Sequence, residues 1–168
     1  MSAEFSYLLD LGRVGTAGLD IAVRATAAEC AALAARLQLP AIAFLTCRFR
    51  LQPFQNGAME ATGAMAASIT QICILSLDEF PAKLAENFTI RFVPAGTESD
   101  TDDPDSIDEI PYIGTAIDLG EVAAEQLALA LDPYPRKPDA DLPNVGQSAP
   151  ETPFAALAAL RLKPGSKD

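Results

Sequence analysis

Three cysteines, no histidine and 23 acidic residues set the chemistry this chain can attempt. Without histidine there is no Ser-His or Cys-His nucleophile pair and no His-ligated metal. Cys30, Cys47 and Cys73 are scattered and odd in number, so they form no disulfide framework and suit a reducing compartment. Cys73 is open to a redox or ligand role. The plainer reading is a buried thiol at the end of a strand, acting as a small apolar side chain. Asp100, Asp102, Asp103 and Asp105 alternate as calcium ligands do, but counting from Asp100 the sixth place holds Asp105 instead of Gly and the twelfth holds Pro111 instead of Glu. A solvated acidic loop is the better account. Glu121 and Glu125 stand four apart on a helical segment and would share a face. Such a pair can act as acid and base when buried. An exposed polar face is the alternative, and no His, Lys or metal ligand completes a site beside them. Residues 12–18 hold three glycines but lack the Gly-Lys-Ser/Thr ending of a phosphate loop.

The basic residues point elsewhere. Arg48 and Arg50 alternate on one strand, and Arg91 is a candidate neighbour across the sheet. Arg136 and Lys137 sit in a proline-rich stretch. Arginines on a sheet can hold RNA phosphates through the bidentate guanidinium fork, although ordinary solvation of an outer sheet face also explains them. No RNA-recognition aromatic motif accompanies them, so base-specific readout is not indicated. The net charge of −11 disfavours generic binding to phosphates. Seven acids and no base lie between Glu98 and Glu109, however; without them 16 acids face 12 bases. The rest of the chain is only mildly acidic.

The elements that must position these residues follow from periodicity. Phe5 to Leu11 reads as a first strand, and Leu19, Ile21 and Val23 alternate with Asp20, Ala22 and Arg24 as a second. Thr26 and Glu29 form a capping box ahead of an apolar face of Cys30, Leu33, Ala34 and Leu37, which predicts a helix closed by Pro40. Three strands follow. Ala43, Leu45, Cys47, Phe49 and Leu51 share the buried face of one. Met59, Ala61, Met65, Ala67 and Ile69 share that of the next, and Phe88, Ile90 and Phe92 that of the third. Asn56-Gly57 supplies the first turn, and Asp78 to Pro81 separates the last two strands. Asp118 caps a late helix striped with Leu119, Val122, Ala123, Leu127, Ala130 and Leu131, ended by Pro133 and Pro135. These elements predict an α+β fold: an antiparallel sheet or partly closed barrel, with one early and one late helix. Residues 1–132 form the domain, with an acidic loop at 96–109, then a proline-rich linker at 133–151 and a short helix and tail at 152–168. In that last helix Phe154, Leu157 and Leu160 could dock on a partner or fold back on the domain. The first ten residues carry no basic region of a signal peptide, and no apolar run approaches a membrane span.

Three segments carry a family likeness. Ile69-Thr-Gln-Ile-Cys73, running on through Leu77-Asp-Glu-Phe80, resembles the central signature of the YceD family. Asp118-Leu-Gly-Glu121 through Glu125-Gln-Leu-Ala-Leu-Ala-Leu-Asp-Pro133 resembles that family's acidic helix, and Thr152-Pro-Phe-Ala-Ala-Leu-Ala-Ala-Leu160 its closing Pro-Phe motif. The Tyr134-Pro135-Arg136 extension looks like the alphaproteobacterial branch. The likeness covers residues 15 to 162 in matching order. It implies a non-enzymatic role in accumulation of large-subunit ribosomal RNA, with that RNA or ribosomal proteins as partners, in the cytoplasm, with no DNA, membrane or cofactor. The acidic loop would then repel non-specific RNA or meet basic ribosomal proteins. An acidic protein–protein adaptor without RNA contact is the alternative. Family members with a metal-like pattern place four cysteines in two pairs. Here Thr70 stands at the first of these positions, Cys73 is retained, and the segment after the late helix has no cysteine. Inherited zinc binding is therefore not expected.

Overall fold

A computed structural model describes residues 4–99 and 106–140. Its centre is a five-stranded sheet in the order β2-β3-β4-β5-β6: β2 is Leu19–Arg24, β3 Ala41–Pro53, β4 Met59–Ile72, β5 Glu79–Pro94 and β6 Asp108–Tyr112. β1, Leu8–Asp10, pairs antiparallel with β7, Ala116–Asp118, in a separate ribbon. The early helix α1 is Ala27–Arg36 and the late helix α2 is Leu119–Ala130. The architecture is α+β with an open sheet, not a barrel.

Strict alternation builds the sheet. Leu45, Cys47, Phe49 and Leu51 of β3 and Ala61, Met65, Ala67 and Ile69 of β4 are buried, and their odd-numbered positions meet across the ladder as Cys47 with Met65 and Leu51 with Ala61. The pattern slips at the start of β3. A register irregularity between Ile42 and Phe44 turns Ile42 inward and leaves Ala43 exposed, the reverse of the expected alternation. Gly63 has no side chain to fill its place, and the Phe88 ring lies over it: a Cβ there would stand 2.1 Å from that ring. Phe88 in turn meets Phe49 edge-on, with centroids 5.8 Å apart.

Two turns differ from expectation. The β4–β5 turn is at 73–78, closed by Cys73 N–H to the Asp78 carbonyl at 2.9 Å. Pro81 is thus inside β5, opposite Thr70. The strand tolerates it because, among the described residues, no further strand lies on that side: β6 pairs only with residues 90–94 of β5. β6 joins in parallel, whereas the other four strands are mutually antiparallel. Residues 95–107 supply the long connection that a parallel neighbour needs. Asp108 and Glu109, read above as part of the acidic loop, are therefore in a strand.

The helices cover the inner face. α1 starts at the predicted capping box: Thr26 Oγ1 accepts from the Glu29 N–H, and Glu29 Oε2 accepts from the Thr26 N–H at 2.7 Å. Cys30, Leu33 and Ala34 bury themselves against β3. α2 is capped by Asp118, whose Oδ1 accepts from the N–H groups of Gly120, Glu121 and also Tyr7. The N-terminal segment thus straps the start of α2, and it comes so close that a Cβ at Gly120 would lie 2.7 Å from the Tyr7 nitrogen. Leu9, Ile117, Leu119, Val122 and Leu127 close the core. No helix among the described residues is long and apolar enough to cross a membrane.

Candidate nucleic-acid interface

Pleating sends the even-numbered side chains of β3 and β4 to the solvent face. The pairing registers arrange them there in rungs. One rung reads Asp20, Arg50, Thr62 and Thr89 across β2, β3, β4 and β5; the next reads Ala22, Arg48, Ala64 and Asn87. These two rungs, with Ile21, Phe49, Gly63 and Phe88 between them, line an open trough of about 770 Å³. Its floor is shallow because alanine and threonine stand at the middle of each rung. Continuing along the strands, the third rung is Arg24, Thr46, Ala66 and Ala85, and the fourth is Phe44, Ser68 and Lys83.

The four rungs carry Arg24, Arg48, Arg50 and Lys83 against a single acid, Asp20. A chain of net charge −11 therefore presents a locally positive sheet face. Arg50 donates to the Asp20 carboxylate and, at 2.9 Å, to the Ala17 carbonyl, which fixes its guanidinium. Arg48 and Arg24 have no ion-pair or hydrogen-bond partner among the described residues. They occupy diagonal positions on neighbouring strands, about 7–8 Å apart. Two like charges so placed, with no acid between them, are suited to an anion that both can reach.

The other expected contacts are elsewhere. Arg91 shares the outer face but is already engaged. It donates to Glu60 at 3.2 Å, lies 3.7 Å from Glu109, and stacks over the Phe54 ring at 4.1 Å. That carboxylate also accepts from the Ser99 N–H and hydroxyl, and these bonds, more than Arg91, hold the Glu109 pKa below the usual carboxylate range. Arg136 and Lys137 are at the β4–β5 turn, beyond the trough. Residues past 132, read as the start of a linker, run back to that turn: Ile74 N–H donates to the Pro135 carbonyl at 2.9 Å, and Lys137 Nζ is 3.6 Å from Asp78. Phe154, Leu157 and Leu160 lie outside the described residues. Arg24 and Lys83 are the residues that sequence reasoning missed. Arg24 shares the parity of Asp20 and Ala22, which signals the outer face, but only the β2–β3 register sets it diagonal to Arg48, and only the β3–β4 and β4–β5 registers place Lys83 on the same face, two rungs further along.

The same turn encloses Cys73. Its sulfur accepts from the backbone N–H of Lys137, from the Ser76 hydroxyl and N–H, and from the Leu75 N–H; these donors outweigh desolvation and bring the thiol down to about 6. The side chain is sealed from solvent. Cys47, deep under the sheet, is pushed up to about 12 by burial, and Cys30 is raised for the same reason. The four-cysteine metal pattern of the resembling family does not fit here. No group of three or more His, Cys, Asp or Glu among the described residues is arranged to hold a metal. N–H donors surround the Cys73 sulfur where co-ligands would stand.

Glu121 and Glu125 flank a small cleft of about 210 Å³ between α2 and β6. Glu121 is bound by Arg36 at 2.8 Å. Burial, and secondarily the Glu121 charge, raises the pKa of Glu125. Asp118 and Tyr112 line the same cleft; Asp118 is engaged as the cap of α2, and the Tyr112 hydroxyl donates to the Gly57 carbonyl.

The family model described as "Large ribosomal RNA subunit accumulation protein YceD" matches residues 61–161. No curated protein and no solved structure matches the chain.

Proposed function

The chain belongs to the YceD family, and from that premise we propose that it is a non-enzymatic, cytoplasmic ribosome-biogenesis factor that promotes accumulation of large-subunit ribosomal RNA by holding an assembly intermediate. The Tyr134–Pro135–Arg136 extension supports an alphaproteobacterial-type member. The observation that carries the binding mode is the segregation of Arg24, Arg48, Arg50 and Lys83 on one face of an acidic protein. Net negative charge opposes indiscriminate association with RNA, while a positive patch retains phosphate contacts over a limited surface.

A gentle pull-down of tagged protein from its native cells, with and without RNase, tests this reading. Large-subunit ribosomal RNA is expected in the recovered material. It should fall away in moderate salt and in the Arg24→Glu, Arg48→Glu double variant. Recovery of neither ribosomal RNA nor ribosomal proteins would overturn the proposal. Ribosomal proteins that persist after RNase and in the double variant would replace it with the adaptor reading.

A further inference from the structure

We propose that the trough takes base-paired, A-form ribosomal RNA by its backbone and 2′-hydroxyls, without reading sequence, with Arg24 and Lys83 extending the contact that Arg48 and Arg50 begin. The inference rests on the RNA reading above and narrows it to one class of RNA.

The side-chain chemistry of the rungs argues against single strands. Proteins that hold single-stranded RNA on a sheet stack unpaired bases on exposed aromatic rings. The outward side chains of the two rungs are Asp20, Ala22, Arg48, Arg50, Thr62, Ala64, Asn87 and Thr89, with no ring among them; Phe49 and Phe88, which also line the trough, stand at the alternate positions, Phe49 buried and Phe88 packed edge-on against it over Gly63. The nearest aromatics on this face do not serve. Phe44 is half-buried and two rungs away from Arg48. The Phe54 ring face is occupied by Arg91. An unpaired strand would therefore leave its bases unstacked.

A duplex needs no such platform. Its bases stack on each other, and it offers two backbones carrying phosphates and, in RNA, 2′-hydroxyls along a wide, shallow minor groove. A shallow floor of alanine and threonine can approach that groove. Thr62, Thr89 and Asn87 supply hydroxyl and amide partners for 2′-hydroxyls. Arg24 and Arg48 supply two uncommitted forks for phosphates. From the Arg50 rung to the Lys83 rung the cations span four rungs, three intervals or roughly 20 Å along the strands. That is long enough for contacts to several phosphates. B-form DNA presents a narrow minor groove and no 2′-hydroxyl, so a flat sheet meets it poorly.

The test is fluorescence anisotropy of the full chain with four labelled probes of about 20 nucleotides or base pairs: two RNA duplexes of unrelated sequence, one of their single strands, and the matching DNA duplex. Both RNA duplexes are expected to bind with equal affinity, roughly ten-fold or more tightly than the single strand or the DNA. Arg24→Gln and Lys83→Gln should each weaken duplex binding for both sequences alike, and reduce the slope of log affinity against log salt by about 1. These substitutions lie on an exposed face, and circular dichroism reports whether each variant keeps the parent fold. Single strands that bind as tightly as duplexes would overturn the inference and leave the ribosomal RNA reading standing. A large difference between the two duplex sequences would also overturn it. Failure of all RNA probes would remove both.

Discussion

Cys73 shows how a residue's neighbours decide its chemistry. Three cysteines of one type have their acidities driven apart, Cys47 up to about 12 by burial and Cys73 down to about 6 by a ring of N–H and O–H donors. The Cys73 thiolate is favoured in the folded chain over the unfolded one, so between the folded value near 6 and the ordinary thiol value the unfolded chain binds more protons. This contribution to stability is fully present above the ordinary thiol value. It fades as pH falls through that window and is gone below about 6. Thermal denaturation of the parent and of Cys73→Ala should therefore diverge as pH rises from 6 to 9, with the parent gaining. A gap that stays constant over that range would mean that the thiol remains protonated. The hydrogen bonds also tie Lys137 to the β4–β5 turn, a long-range link that no local pattern in the sequence announces.

At the level of elements, agreement between sequence and structure follows the range of the forces involved. Both helices begin at their expected caps, because a cap is a contact between residues two or three apart: Thr26 with Glu29, and Asp118 with Glu121. The alternation of β4, and of β3 from Leu45 onward, was equally legible, since burial on one face is written at every second residue. What local pattern could not show was set by distant neighbours. Pro81 reads as a breaker, yet it stands in β5 because that stretch has no strand on its far side among the described residues. Asp108 and Glu109 read as loop, yet β5 recruits them in parallel. The candidate site divides in the same way. Arg48 and Arg50 are two apart on one strand and were apparent from sequence, whereas Arg24 and Lys83 needed the cross-strand registers. The close passage of Ser6 and Tyr7 over α2 is another such long-range effect, and it explains why a glycine is found in the first turn of that helix. Gly120→Ala should improve helix propensity but force the N-terminal strap away from Asp118. The second effect should prevail, with a loss of about 1–3 kcal/mol in chemical denaturation. A gain in stability would show that the strap yields freely.

For the molecule as a whole, charge is distributed by face. The sheet's outer rungs are basic, while the ends of that face carry Glu60, Glu79 and Glu109. This arrangement confines attraction for anions to the middle of the sheet and leaves the remainder of an acidic chain to repel them. The short reach of β6 has a different consequence. Among the described residues, 79–89 of β5 have a hydrogen-bonded neighbour on one side only, which leaves a long row of backbone donors and acceptors unpaired by any other described strand. Such an edge is a template for another chain's strand and a route to aggregation. The proline that looked like a strand breaker deletes one donor from that row, and Lys83, Glu79 and Glu86 place charges along it. Pro81 thus acts as a guard against self-association. In light scattering, the apparent mass of Pro81→Val should rise more steeply with protein concentration than that of the parent, and a variant that matches the parent would assign protection of this edge to its charges alone.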